Sequence, residues 1–333
     1  MSSSPSISVI LPVYNGTDYL LTAVDSVLNQ TFEDVELVVC DDASTDASLD
    51  VLASYEDPRL RLLQNDTNQG LFPTLNRLVR TSDAPLIRLW GQDDRMKPHC
   101  LEREHAFWTE HPDLGMTYCQ RDSIDAAGEV FQTAPTDETP TILTGSHVAQ
   151  ISFYHGSMPG NISTVTLRRA ALEDVGLFRE DMKVSGDFEM WVRLSEQYQT
   201  GFINESLIDL RSHVGQFSRR SGISATFVRE NEEIFRRLFE RLPTSILEHA
   251  RQYERWHRRI IQVHSMMCAL LDGDWETAGT IYRLLRRWIN VPTAVARWLV
   301  SANGRWLKPE PRYDFPLSEA NAPAVSPADP SDA

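Results

Sequence analysis

The chain has 333 residues, 41% hydrophobic and 24% charged, a mix that excludes a collagen-like repeat, a coiled-coil rod and global disorder, and a length that suggests more than one unit. A formal net charge of -15 argues against a nucleic-acid binder, which depends on neutralising phosphates, so no nucleic-acid partner is expected. The charge is divided: residues 1–215 carry -18, residues 216–308 carry +7 and residues 309–333 carry -4. That split predicts an acidic unit, a basic unit suited to an anionic partner, and a tail.

Four cysteines, Cys40, Cys100, Cys119 and Cys268, are far apart with no C-x-x-C pair, so neither a disulfide framework nor a cysteine zinc site is expected, and a reducing compartment fits best. The opening MSSSPSISVILPVYNG has no basic n-region and its apolar stretch is interrupted by Pro12 and Asn15, unlike a secretion signal. No apolar window reaches the roughly 18 residues of a membrane span. A cytoplasmic protein is the expectation.

In chain order, Ser8–Leu11 is the first strand, and Leu20, Ala23, Val24, Val27 and Leu28 follow at helical spacing. The near-continuous apolar run Glu36–Cys40 predicts a strand buried on both faces. Ser44–Tyr55 reads as a helix capped by Ser44, Leu60–Leu63 as a strand, Leu71–Arg80 as a helix and Leu86–Leu89 as a fourth strand. Strands alternating with helices predict a mostly parallel, Rossmann-like sheet. Past Pro98 come a helix through Trp108, a strand Met116–Cys119, a Pro/Thr-rich loop over 134–141, a strand Ser163–Leu167, helices Arg169–Val175 and Asp187–Tyr198, and a closing strand Leu207–Arg211.

From about Ala225 the pattern is helical. Ile246, Ala250, Tyr253, His257, Ile260, His264, Met267 and Leu271 recur at steps of four and three, as in one long amphipathic helix ending at Asp272-Gly273-Asp274. Helices Trp275–Trp288 and Pro292–Val300 follow. The expected organisation is a domain over 1–218, with halves 1–97 and 98–218, then a helical domain over 219–308 and a disordered tail over 309–333.

In open α/β sheets, ligands sit beyond the carboxyl ends of the strands. Four polar clusters fall there: Pro12-Val13-Tyr14-Asn15-Gly16, Asp41-Asp42-Ala43-Ser44-Thr45-Asp46, Asn68-Gln69-Gly70 and Gly91-Gln92-Asp93-Asp94. The adjacent carboxylates Asp93 and Asp94 are costly to bury without a cation, so a divalent Mg²⁺ or Mn²⁺ is the natural partner; capping of the next helix is the plainer alternative. Asp41 suits a base or ribose contact, Tyr14 a stacking face or a core position, and Asn68–Gly70 a simple turn.

ISVILPVYNG, LVVCDDASTD, NQGLFPTLN and IRLWGQDDRMKP together resemble the nucleotide-sugar half of glycosyltransferase family 2, in order and in spacing. VGLFREDMKVSGDFEMWVRLS and LIDLRSHVGQFS resemble the family's acceptor segment and closing loop, so the resemblance runs over residues 7–218. It implies an inverting GT-A transferase moving a sugar from a nucleotide-sugar donor to a glycan or lipid-linked acceptor of envelope polysaccharide or glycolipid assembly. It further implies donor contacts at Pro12, Val13, Tyr14, Asn15, Asp41, Asn68, Gly70, Gln92 and Asp93, a Mg²⁺ or Mn²⁺ ion at Asp93, Asp94 and His213, and Asp187 as general base. Two positions depart from the family pattern: Gly91 and Gly186 stand where it carries acids. A relative that has lost its chemistry is the alternative.

A dehydrogenase would need G-x-G-x-x-G where Pro-Val-Tyr-Asn-Gly stands, and there is no Walker sequence. Arg283, Arg286, Arg287, Arg297, Arg305 and Lys308, mixed with Trp275, Trp288, Trp298 and Trp306, suit a peripheral contact with an anionic lipid face, the inner plasma-membrane leaflet, or else an ordinary helical core with a solvated basic side.

Overall fold

A computed structural model describes residues 4–135, 137–216, 224–300 and 311–316. The first half alternates β1 (Ile7–Val13), α1 (Thr17–Leu28), β2 (Val35–Asp41), α2 (Ser48–Ala53), β3 (Leu60–Gln64), α3 (Leu71–Thr81) and β4 (Leu86–Leu89). β5 (Arg95–Met96), α4 (Cys100–Glu110), β6 (Met116–Ile124), β7 (Val130–Gln132), β8 (Ile142–Leu143) and α5 (Gly145–His155) follow. β9 (Val165–Arg168), α6 (Arg169–Val175), α7 (Gly186–Ser195) and β10 (Thr200–Arg211) complete the sheet. The rest comprises α8 (Ser224–Glu240), α9 (Leu247–Tyr253), α10 (Arg259–Leu271), α11 (Trp275–Leu285) and α12 (Val291–Val300).

The sheet runs β3-β2-β1-β4-β9-β6-β10-β5, with β7 on β6 and β8 on β10. β3, β2, β1 and β4 are parallel, β9 is antiparallel to both neighbours, and β6 and β10 are parallel to each other. The sheet is mixed and mostly parallel, as expected. Every β2 residue is buried, because helices cover both faces. Alternate β1 residues feed opposite cores: Ile7, Val9, Leu11 and Val13 pack under α1, and Ile10 under α3.

Several elements differ from expectation. The helix expected from Ser44 starts at Ser48, because residues 44–47 fold back to hydrogen-bond the loop after β1. β6 and β10 run longer than expected, with bulges in β10 between Ile203 and Ile208. α5 was not legible; its start is a Thr144–His147 capping box, with His in place of the usual acid. The long helix expected over 246–271 is broken by a π turn at Glu254–Arg258. That turn swings Arg258 over the Phe153 and Phe235 rings, 4.3 and 3.5 Å from their centroids, and brings Arg259 onto Glu232 and Glu254. The helix ends where expected: Gly273 takes φ +76°, and Asp274 accepts the Thr277 N–H.

The main core takes in described residues on both sides of the expected boundary. Ile234, Leu238, Ile246, Ala250 and Tyr253 lie in the same core as β9, α5 and α7, whereas Ile260 to Ala294 form a separate apolar cluster with Val228. Within the expected tail, 311–316 is ordered by its aromatics: Tyr313 and Phe315 pack on the main core, and Gln150 and Asp314 hydrogen-bond each other. The other tail positions, with Arg305, Trp306 and Lys308, lie outside the described residues.

Candidate active site

β1, β2 and β4 end side by side, and their loops are stitched together by side chains rather than left open. Asn15, at φ 53°, donates its N–H to Ser44 Oγ and accepts the Thr45 N–H on Oδ1 at 2.8 Å. Gln92 accepts the Tyr14 N–H at 2.9 Å and donates to the Tyr14 carbonyl at 3.2 Å. The Gln92 amide therefore serves the loop after β1. Val13, expected at the donor contact, has its side chain in the core and its carbonyl on the Asp42 N–H. Pro12 and Tyr14 are half-buried and Asn15 is exposed.

The two β2 carboxylates divide their work. Asp42 accepts from Asn65 Nδ2 (2.6 Å) and from the N–H groups of Gln69 (2.9 Å) and Gly70 (2.9 Å). It thereby fixes the loop at α3's start, where Gly70 takes φ +90° and Asn68 is exposed. Asp41 is fully buried; one oxygen takes the Ser44 N–H and Oδ1 has no partner. An unpartnered buried carboxylate oxygen at a strand end is a ready acceptor for a ligand donor.

At the end of β4, Asp93 Oδ2 lies 3.0 Å from His213 Nε2, and both side chains are part-exposed. Arg211 positions the pair: its Nε donates to the Asp93 carbonyl at 2.8 Å, and its guanidinium lies 4.5 Å from the centre of the Tyr19 ring, which also abuts His213. Asp94 behaves differently. It is buried, with Oδ1 on the Arg211 N–H (2.9 Å) and Oδ2 on the Ser163 hydroxyl. Burial, then the neighbouring Asp93 charge, push its carboxyl well above the usual range. Asp94, expected as a metal ligand, uses both oxygens to brace the turn before β9 and the end of β10. Among the described residues, no three His, Cys, Asp or Glu side chains converge to hold a metal.

Both glycines that depart from the family pattern sit in filled space. A Cβ at Gly91 would lie 2.7 Å from Ser163 Oγ and 2.8 Å from Asp94 Oδ2, and one at Gly186 would lie 2.7 Å from the Phe72 ring. The Ser163–Asp94 contact fills the first position, and Phe72, from the first turn of α3, fills the second.

Asp187 opens α7 beside that same turn of α3. Its Oδ1 accepts the Phe188 N–H at 2.7 Å, and the side chain is half-buried. Burial pushes its carboxyl up to about 6, against the lowering effect of the backbone N–H groups. Sequence reasoning named Asp42 only as a member of the polar cluster after β2, and missed Ser163 and Arg211.

Comparison with known proteins bears on this arrangement. The family model described as "Glycosyl transferase family 2" matches residues 8–176. The protein named "Putative glycosyltransferase EpsE" of Bacillus subtilis is 29% identical over 230 residues, 66% of this chain and 78% of its own length. Among solved structures, TarS of S. aureus with UDP-GlcNAc superposes with a TM-score of 0.57 at 20% identity, over 74% of this chain and 70% of that one. The mannosyltransferase PcManGT of Pyrobaculum calidifontis, with GDP-Man and Mn2+, gives 0.52 at 18% identity, over 90% and 80%. These structures share the fold. With the family model spanning half the chain across all four strand-end clusters, this protein belongs to glycosyltransferase family 2 and is a glycosyltransferase.

Proposed function

We propose that the chain transfers a sugar with inversion from a nucleoside-diphosphate donor to an acceptor hydroxyl on a glycolipid or polysaccharide. The observation that carries this reading is Asp187: a half-buried carboxyl at the head of a helix, raised toward neutrality and set beside the donor-side loops. As the acceptor oxygen bonds to the anomeric carbon, its proton passes to Asp187, and the bond to the diphosphate breaks on the opposite face with its electron pair. The unpartnered Asp41 Oδ1 takes a donor from the base or ribose, Tyr14 and the exposed Asn15 and Asn68 border the nucleotide, and Pro12 and Gly70 shape its floor.

Asp93 and His213 offer one oxygen and one nitrogen 3.0 Å apart, a donor set that fits Mn²⁺ or Mg²⁺ when diphosphate oxygens and water complete the shell. Such an ion would offset charge on the departing diphosphate. TarS bound to UDP-GlcNAc and PcManGT bound to GDP-Man and Mn2+ support donors of this class. Calorimetry with UDP, GDP and dTDP, each with Mn²⁺ and then with EDTA, tests the reading. Metal-dependent binding of one nucleotide is expected; no binding of any would leave a relative without chemistry.

A membrane contact on the cytoplasmic face is the second part of the proposal. Leu271, Trp275, Leu299 and Val300 are exposed on α10 to α12 along with Arg283, and Arg286, Arg287 and Trp288 are exposed in the turn between α11 and α12. Exposed apolar and basic groups in one helical region suit an anionic bilayer interface. Among the described residues, no helix is long and apolar enough to cross a membrane.

A further inference from the structure

Glu230 of α8 reaches into the loop that leads to Asp187. Its carboxylate accepts the backbone N–H groups of Lys183 (2.9 Å), Val184 (3.1 Å) and Ser185 (2.8 Å). Three successive N–H groups converging on one buried carboxylate form an anion nest, and charge-assisted bonds of this kind are stronger than neutral ones. Ser185 gives no side-chain cap to α7, its buried hydroxyl has no partner, and residue 186 has no side chain, with Phe72 in the space one would fill.

The same face of α8 continues the grip. Glu233 holds Arg179 at 2.6 Å, Arg237 pairs with Glu196 and with Glu189 (3.3 Å), and Arg241 Nη2 donates to the Ser195 carbonyl at 3.1 Å. Residues 230, 233 and 237 fall at steps of three and four, one stripe of the helix, and Arg241 follows just past its end. α7 is thus clasped from the loop before it to its last residue.

We propose that Glu230 is a positioning residue for sugar transfer: its carboxylate fixes the 183–185 loop so that Asp187 is presented to the acceptor hydroxyl. Helix α8 then belongs to the catalytic unit and is more than an appendage. The proposal rests on Asp187 being the base.

The charged groups facing this loop are Glu230 and Glu233 from α8, Arg179, Asp181 and Lys183 within it, and Glu189 of α7, paired to Arg193 and Arg237. Glu230 also raises the Asp187 carboxyl by like-charge repulsion, so removing it lowers that titration. Loss of the charge alone would lower that titration equally in any variant that removes it, whereas a loop held by an acceptor oxygen gives different midpoints in variants that keep or lose that oxygen.

The test compares full-length Glu230→Ala and the near-isosteric Glu230→Gln with the native chain. UDP-GlcNAc and GDP-mannose with Mn²⁺ serve as donors, nucleotide release is the activity, and the Asp187 carboxyl is titrated by ¹³C NMR. Expected for Glu230→Ala is a kcat reduced about 10- to 100-fold, the cost of a misplaced reacting group, with donor KM within about twofold and the Asp187 midpoint moved down. Glu230→Gln, which keeps an acceptor oxygen, should fall between. Native kcat in Glu230→Ala, or the same Asp187 midpoint in Glu230→Ala and Glu230→Gln, overturns the proposal. The titration decides it even where neither donor is turned over, and Glu230→Gln decides it where the alanine variant does not fold. Full turnover by Asp187→Asn would instead overturn the base assignment.

Discussion

In the proposed mechanism, Asp187 joins stability and catalysis in one carboxyl. A carboxyl lifted from the ordinary range to about 6 by burial must be ionised to act as a base, so kcat/KM should rise about tenfold per pH unit below that value and level off above it. Asp187→Asn should lower kcat by roughly a hundredfold to ten-thousandfold with nucleotide affinity retained, read in parallel turnover and calorimetry. The sign for stability is the reverse. A raised carboxyl contributes fully below the unfolded value near 4, and that contribution is lost as pH rises toward 6. Asp187→Asn should therefore be more stable than the native chain at pH 8 by about 1 kcal/mol, discounted for partial exposure, and equal to it at pH 4, in thermal melts at both values. A native acid limb in Asp187→Asn would remove the residue from the chemistry.

Single elements depend on buried carboxylates supplied from elsewhere in the fold. Asp42→Ala strands the N–H groups of Gln69 and Gly70 and the Asn65 amide, which should cost roughly 2–4 kcal/mol in urea unfolding and weaken nucleotide binding, since the loop opening α3 loses its anchor. Arg88 on β4 is fully buried against Glu104 of α4 at 3.0 Å. Glu104→Gln would leave that guanidinium uncompensated beneath the sheet and should destabilise by about 3–5 kcal/mol, with little change in nucleotide affinity in whatever fraction stays folded. Equal losses of stability and affinity would tie this pair to the site as well.

For the whole molecule, the charge division has two structural meanings. Part of the basic region is spent internally, since Arg237 on α8 and Arg241 just past its end pair with Glu189 and Glu196 around α7. Part stays outward: Arg283, Arg286 and Arg287, with Trp275 and Trp288, are exposed. Phosphatidylglycerol vesicles should pull the protein down at low salt and release it near about 0.5 M salt, where screening is short-ranged. Trp275→Ala combined with Trp288→Ala should weaken the low-salt binding. No association with anionic vesicles at low salt would leave this surface to solvent.

By itself, the sequence determined the β/α alternation and the polar strand ends, because periodicity and the residue just past a buried strand are local quantities. Strands β1 to β4 and helix α3 fall within a few residues of expectation for that reason. The tertiary structure alone decided what each polar residue does. Asp41 and Asp42 are neighbours in the chain, yet one keeps an unpartnered oxygen and the other holds the α3 loop. Asp93 and Asp94 likewise part, one toward His213 and the other into a buried brace with Ser163 and Arg211. Gly91 and Gly186 resemble losses in the sequence and prove to be positions whose space Ser163, Asp94 and Phe72 occupy. Glu230 reaches its loop across 45 to 47 positions of chain. A hydrogen bond formed over that separation leaves no local pattern, since it depends on where a helix packs rather than on the residues beside it.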